Sequence, residues 1–197
     1  MPRRLLALLL LGAVASAACG SDRTGGPRGT PEAIVRRSPD RTFAEGSARV
    51  EAAAPGAQSR GRLSLDGPDE LRLAGLEAAR GYPELAHPIA MVDLVRGAVA
   101  VEPYGGTAVR GVSTFRYETV VNVERALQAT PEVRRSRVEA VARMLSAPAF
   151  YADVWVDSEG RLRRVQVPVV KTTERPEARD RRAPNLITVD LFDFRAP

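Results

Sequence analysis

The chain has 197 residues, with 29 basic against 24 acidic side chains and a net charge of +5 when its one histidine is neutral. Its basic residues are mixed with the acids, without the concentrated stripe and groove-reading elements of a nucleic-acid binder, which argues against that partner. A single cysteine allows no internal disulfide, and one histidine with one cysteine supplies no metal-ligand set, so neither a metal nor any other cofactor is expected.

Met1–Arg4 is a short basic start, Leu5–Val14 an unbroken apolar run, and Ala15–Gly20 a small-residue exit, the three-part build of a bacterial secretory signal. The run is ten residues, whereas a helix needs roughly 20 to cross a bilayer, so residues 1–18 read as a removable signal. The lone Cys19 stands where the small residues end and resembles the lipobox of bacterial lipoproteins, in which that cysteine takes a diacylglyceryl group and becomes the N-terminus. Ser16 occupies the place where that motif ordinarily has Leu, and Ala15-Ser16-Ala17 also fits plain cleavage that would release a soluble protein. A cysteine without a partner in an exported chain favours lipidation, hence a membrane partner reached through Cys19. Loss of Arg3 and Arg4 takes the net charge from +5 to +3, compatible with a weak preference for anionic headgroups.

Residues 19–30 form a polar, Gly-rich tether, and residues 31–197 are expected to make one domain with its own core. Thr30-Pro31-Glu32 is a capped helix start, with the helix expected to stop at Arg37 ahead of Pro39. From Thr42 the apolar period becomes two: Ala48, Val50 and Ala52 face one way, then Leu63 and Leu65, then Leu71 and Leu73, an antiparallel meander turning at Pro55-Gly56 and Gly67-Pro68. Ile89–Val95 reads as a short covering helix, and Val99–Tyr104 and Ala108–Val123 as strands around Gly105-Gly106, with Phe115, Tyr117, Val121 and Val123 on one face. Thr130-Pro131-Glu132 opens a second capped helix whose apolar stripe is Val133, Val138, Val141, Met144 and Leu145. Ala152–Val156 and Leu162–Val170 are strands joined at Asp157-Ser158-Glu159-Gly160, with Trp155 opposite Val154 and Val156. The arginines at 161, 163 and 164 read as a solvated face, Thr172–Pro184 as a mobile loop, and Asn185–Phe194 as a last strand.

No catalytic constellation is present in the sequence. His87 sits alone in a proline-bounded loop, Ser113 lacks a G-x-S-x-G frame, no G-x-x-x-x-G-K-[ST] phosphate loop occurs, and the acid pair Asp66/Asp69 belongs to a turn. The chain is therefore not expected to be an enzyme.

Three phrases carry a resemblance: Ser47-Ala48-Arg49-Val50, the stretch Val109–Tyr117 (VRGVSTFRY), and the hairpin Tyr151–Arg164 (YADVWVDSEGRLRR). With the order of elements from Pro31 onward, they resemble the actinobacterial lipoprotein group that includes the LppX and LprG lipid carriers. The resemblance implies an α+β, LolA-like half-barrel: a curved antiparallel sheet with two or three short helices on its concave side. It also implies an acyl-chain cavity between helices and sheet. Candidate lining residues are Val50, Leu63, Leu65, Leu73, Phe115, Tyr117 and Val167 from strands, and Val92, Val141 and Leu145 from helices. The chain is shorter than expected for the group, so a small cavity is implied, or none. Two functions follow: a membrane-anchored, monomeric carrier of a lipid or other amphiphile, or an envelope interaction or sensor module of the same fold with a filled core. The sequence names no protein partner.

Overall fold

The computed structural model describes residues 26–54, 57–65, 88–145, 147–168 and 186–195. Helix α1 (Pro31–Phe43) starts as its sequence demands, with Pro31 in the first turn and the Thr30 hydroxyl accepting from Ala33 N at 3.3 Å. It does not stop before Pro39. Proline has no N–H for the Val35 carbonyl, but the Ser38 hydroxyl donates to that carbonyl at 2.6 Å, so the break in the ladder is filled and the helix continues.

Strands β1 (Ser47–Ala54) and β2 (Ala57–Ser64) form a hairpin, followed in the described residues by α2 (Pro88–Leu94) and a 3₁₀ turn, Val95–Gly97. Then come β3 (Ala98–Val109), β4 (Val112–Asn122), α3 (Val123–Ala129), α4 (Glu132–Leu145), β5 (Ala149–Asp157), β6 (Leu162–Pro168) and β7 (Leu186–Phe192). The strands make one curved, open antiparallel sheet in the order β2-β1-β7-β6-β5-β4-β3, so the last strand inserts beside the first. This is the expected half-barrel architecture, with seven strands and four helices among the described residues. The expected strand around Leu71 and Leu73, and the loop Thr172–Pro184, lie outside those residues.

Two expected boundaries move. Gly105-Gly106 is not a turn: Gly105, at φ 125°, lies inside β3 where the register with β4 shifts between Pro103 and Gly105. The chain reverses at Arg110-Gly111, where both residues have positive φ (50° and 78°), the backbone a two-residue hairpin loop requires. The expected strand to Val123 is also shorter, because the Asn122 side chain accepts from Arg125 N at 2.8 Å and starts α3. Here Gly97 meets the start of α3 so closely that a β-carbon would lie 2.2 Å from the Asn122 carbonyl oxygen.

Among the described residues one apolar cluster lies between the sheet and the helices. Every residue of α2 is buried, and α4 packs chiefly on α2 and α3. Val138 and Val141 of α4 point into this layer, whereas Val133, expected in the same stripe, is 81% exposed. The hairpin at Asp157–Gly160 forms as expected: the Asp157 carboxylate accepts from Glu159 N and Arg161 N, both at 3.0 Å, and Gly160 supplies a φ of 84°.

Candidate functional site

Strand pairing aligns side chains into rows that cross the whole sheet. One row runs Ala52, Val189, Val165, Val154, Tyr117 and Pro103 from β1 to β3, and its central members face the helices. The next row runs Arg60, Glu51, Asp190, Arg164, Trp155, Arg116 and Gly105 on the opposite face, one residue along from the first on β1, β7, β6, β5 and β4 and two along on β3, where the register shifts. Strand geometry alone separates them, since successive side chains point to opposite faces.

On the helix-covered face Val50, Leu63, Val92 and Val141 have no accessible surface, while Leu65, Tyr117 and Val167 keep at most 5%. Val50, Leu63, Tyr117 and Val167 belong to the sheet and Val92 to α2; Val141 joins the same cluster from α4. Phe115 and Leu145 are partly buried at the margin of this cluster, and Leu73 lies outside the described residues. Gly26 lies over the Phe115 ring, close enough that a β-carbon there would meet it at 2.9 Å. Burial pushes the Tyr117 phenol above its ordinary pKa.

The helices are tied together by one buried acid. Asp93 of α2 has no exposed surface; its carboxylate accepts from Arg96 Nε at 2.7 Å and from Arg134 Nε of α4 at 2.7 Å. Arg96 also reaches Asp40 of α1 at 2.7 Å, and the guanidinium of Arg134 lies 4.0 Å from the centre of the Phe43 ring. Helix α1 is in turn joined to the sheet: Arg36 Nε donates to the Ala98 carbonyl and Leu162 N donates to the Thr42 hydroxyl, both at 2.8 Å. Sequence reasoning passed over Asp93. The signal was its place in Pro88–Leu94, where an acid among otherwise wholly apolar residues has to find cations once buried.

The other face is held by charge. Arg164 binds Asp190 through two nitrogens (2.5 and 2.7 Å), and Arg116 reaches Asp153 at 3.1 Å. Trp155 lies between these two arginines, whose guanidinium carbons are 5.7 and 5.3 Å from its ring. Arg110, at the tip of the β3–β4 hairpin, pairs with Glu51 at 2.7 Å and Asp190 at 3.2 Å, although three strands separate β4 from β1 in the sheet. The hairpin thus reaches back over this face and leaves beneath it a groove of about 350 Å³ walled by Tyr104, Trp155, Arg116 and Arg164. Burial pushes the Glu51 carboxyl up, but hydrogen bonds from Arg110, Arg60 and Gln58 outweigh it and hold the group below the usual carboxylate range.

Arg161, Arg163 and Arg164 are therefore not a solvated face. Arg161 and Arg163 both donate to Asp157, at 2.9 and 2.8 Å, and stack near Phe194, while Arg164 holds Asp190. Burial raises the Asp157 carboxyl, yet the Arg161 backbone N–H and the two guanidinium groups bring it below its ordinary value. A buried acid at each position recruits its arginine, a pairing invisible in the linear order. His87 lies outside the described residues. Among the described residues no three His, Cys, Asp or Glu side chains gather as a metal site, and no helix is long and apolar enough to cross a membrane.

The fold is shared with a solved structure, LprF from Mycobacterium bovis, at a TM-score of 0.51 and 9% identity, over 88% of this chain and 96% of that one. Lipoprotein LppX from Mycobacterium tuberculosis aligns at a TM-score of 0.45 and 14% identity, over 85% of this chain and 96% of that one. No family model matches the sequence, and no curated protein matches it.

Proposed function

We propose that the chain is an exported, membrane-anchored lipoprotein whose half-barrel takes the acyl portion of a lipid or other amphiphile between its helices and its sheet, without catalysis. Residues 1–18 are the signal, Cys19 carries the anchor, residues 19–30 are the tether, and the domain stands as a monomer outside the cytoplasmic membrane. The observation that carries this reading is the apolar layer itself. Val50, Val154, Val165 and Val189 on the sheet meet Ile89, Met91 and Val92 on α2 in one cluster. Two apolar surfaces in contact can part around a chain with little polar cost. Each methylene transferred from water contributes roughly 0.8 kcal/mol, so a sixteen-carbon chain represents about 13 kcal/mol before the cost of separating the layers.

A second reading has its own observation. The absence of accessible surface at Val50, Leu63, Val92 and Val141 suits a module with a filled core that acts on another envelope protein. Organic extraction of natively purified protein, followed by mass spectrometry, separates the two. The carrier reading expects about one lipid per protein, above a control protein of equal charge. A clean extract, repeated after candidate lipids are offered, would leave the interaction module. Anchorage has a separate test: Cys19→Ser should move the protein from the membrane fraction to the medium, and retention on the membrane would sink the lipobox reading.

A further inference from the structure

Most of the described arginines are paired with acids, and three beside α1 are not. Arg28, Arg37 and Arg41 have no side-chain hydrogen bond or ion pair among the described residues. All three are exposed, and all three border one groove of about 440 Å³ formed by the end of the tether, one face of α1 and the β5–β6 hairpin. Arg37 and Arg41 stand one helical turn apart on α1, opposite the face that buries Val35, Ser38 and Thr42, so the helix presents them together. Its floor includes Ile34 and Gly160. The one acid at the rim, Glu159, is paired with Arg161 at 2.9 Å, which leaves the groove positive.

The position of the groove says what a positive concavity would meet. Gly26 and Pro27 line it, and Cys19 stands seven residues before Gly26. Even fully extended, that segment spans at most about 25 Å, so an anchor at Cys19 keeps this end of the domain close to the headgroups. Guanidinium groups make charge-assisted, often bidentate hydrogen bonds to phosphate. We infer that Arg28, Arg37 and Arg41 form a docking site for the phosphate of an anionic phospholipid headgroup. The site would set the half-barrel against the membrane with α1 and the β5–β6 hairpin facing it. This rests on the proposed attachment through Cys19.

The test uses the exported chain carrying Cys19→Ser, so that binding is read without the anchor. It is sedimented with phosphatidylcholine vesicles, with and without phosphatidylglycerol. The protein should bind only the anionic vesicles, and the combined Arg28→Gln, Arg37→Gln, Arg41→Gln variant should bind roughly a hundredfold more weakly. Arg125→Gln, which removes an exposed arginine on α3, should change binding by less than about threefold. An equal loss per charge in Arg125→Gln would reduce the effect to net charge and overturn the site. So would failure to prefer anionic vesicles. Displacement by millimolar inorganic phosphate at constant ionic strength would assign the groove to a small free anion and overturn the membrane reading. None of these outcomes bears on anchorage, which fractionation of the Cys19→Ser strain reports separately.

Discussion

The two faces of the sheet differ by one residue along each strand and are held by opposite physics. Toward the helices, Val189, Val165 and Val154 stand side by side with at most 1% of their surface exposed. On the other face their chain neighbours Asp190, Arg164 and Trp155 form a continuous run of ion pairs and guanidinium–aromatic contacts. Burial of apolar area is non-directional, so the first row supplies cohesion; the second supplies register. A slip of one residue would carry Arg164 and Asp190 into the apolar layer and is excluded for that reason. A surface held chiefly by side-chain packing can also part and close again, whereas the charged row cannot open without stranding partly buried ions.

The sharpest break in this division is Asp93, a charge inside the apolar layer. Asp93→Ala leaves Arg96 and Arg134 without their shared partner and should cost about 3–5 kcal/mol in urea unfolding. A loss under about 1 kcal/mol would mean that the helices do not depend on this hub. Next comes the packed side: Leu63→Ala, at a position with no exposed surface, should lose about 2–5 kcal/mol. If the layer is less tightly packed than described, the loss will fall below that range.

Arg164→Gln probes the charged face and should cost less, about 1–2 kcal/mol, because Asp190 keeps Arg110 at 3.2 Å. Arg164→Lys should recover little of it, since a lysine cannot reproduce the two-nitrogen grip. A loss as large as that of Leu63→Ala would erase the proposed contrast between the faces. The smallest effect is a pH dependence. Asp157 is held below its ordinary pKa, so its contribution to stability is present above the unfolded value, about 3.9, and is lost as pH falls through the lower folded value. Asp157→Asn should therefore differ most from the parent near neutral pH, and the gap should narrow below about pH 4. A gap that stays constant into acid would show that the carboxylate's charge is not what the hairpin uses.

Alternation made much of this legible in the sequence. The buried apolar positions of β1 and β7, and Val165 and Val167 of β6, follow directly from a period of two, as does the placement of Trp155 away from Val154 and Val156. The hairpin at Asp157–Gly160 was legible because its turn chemistry is local. What escaped depends on neighbours distant in the chain. Nothing near Arg110 announces Glu51 and Asp190 as its partners, and the pairing of β1 with β7 joins segments more than a hundred residues apart. Pro39 misled for a local reason: a single hydroxyl, from Ser38, cancels the proline's missing hydrogen bond. For the candidate site, the sheet face was readable, but its occupancy was not, since the same apolar period serves a filled layer and one that opens.

A carrier of this fold must receive an acyl chain in the layer between helices and sheet. Photoactivation of a diazirine-bearing fatty acid bound to the protein, followed by peptide mapping, tests it at the residues concerned. Adducts are expected on inward-facing positions such as Val50, Val92, Val165 and Val167, with outward neighbours such as Glu51 and Arg164 unlabelled. Labelling confined to outward positions, or none at saturating fatty acid, would contradict it.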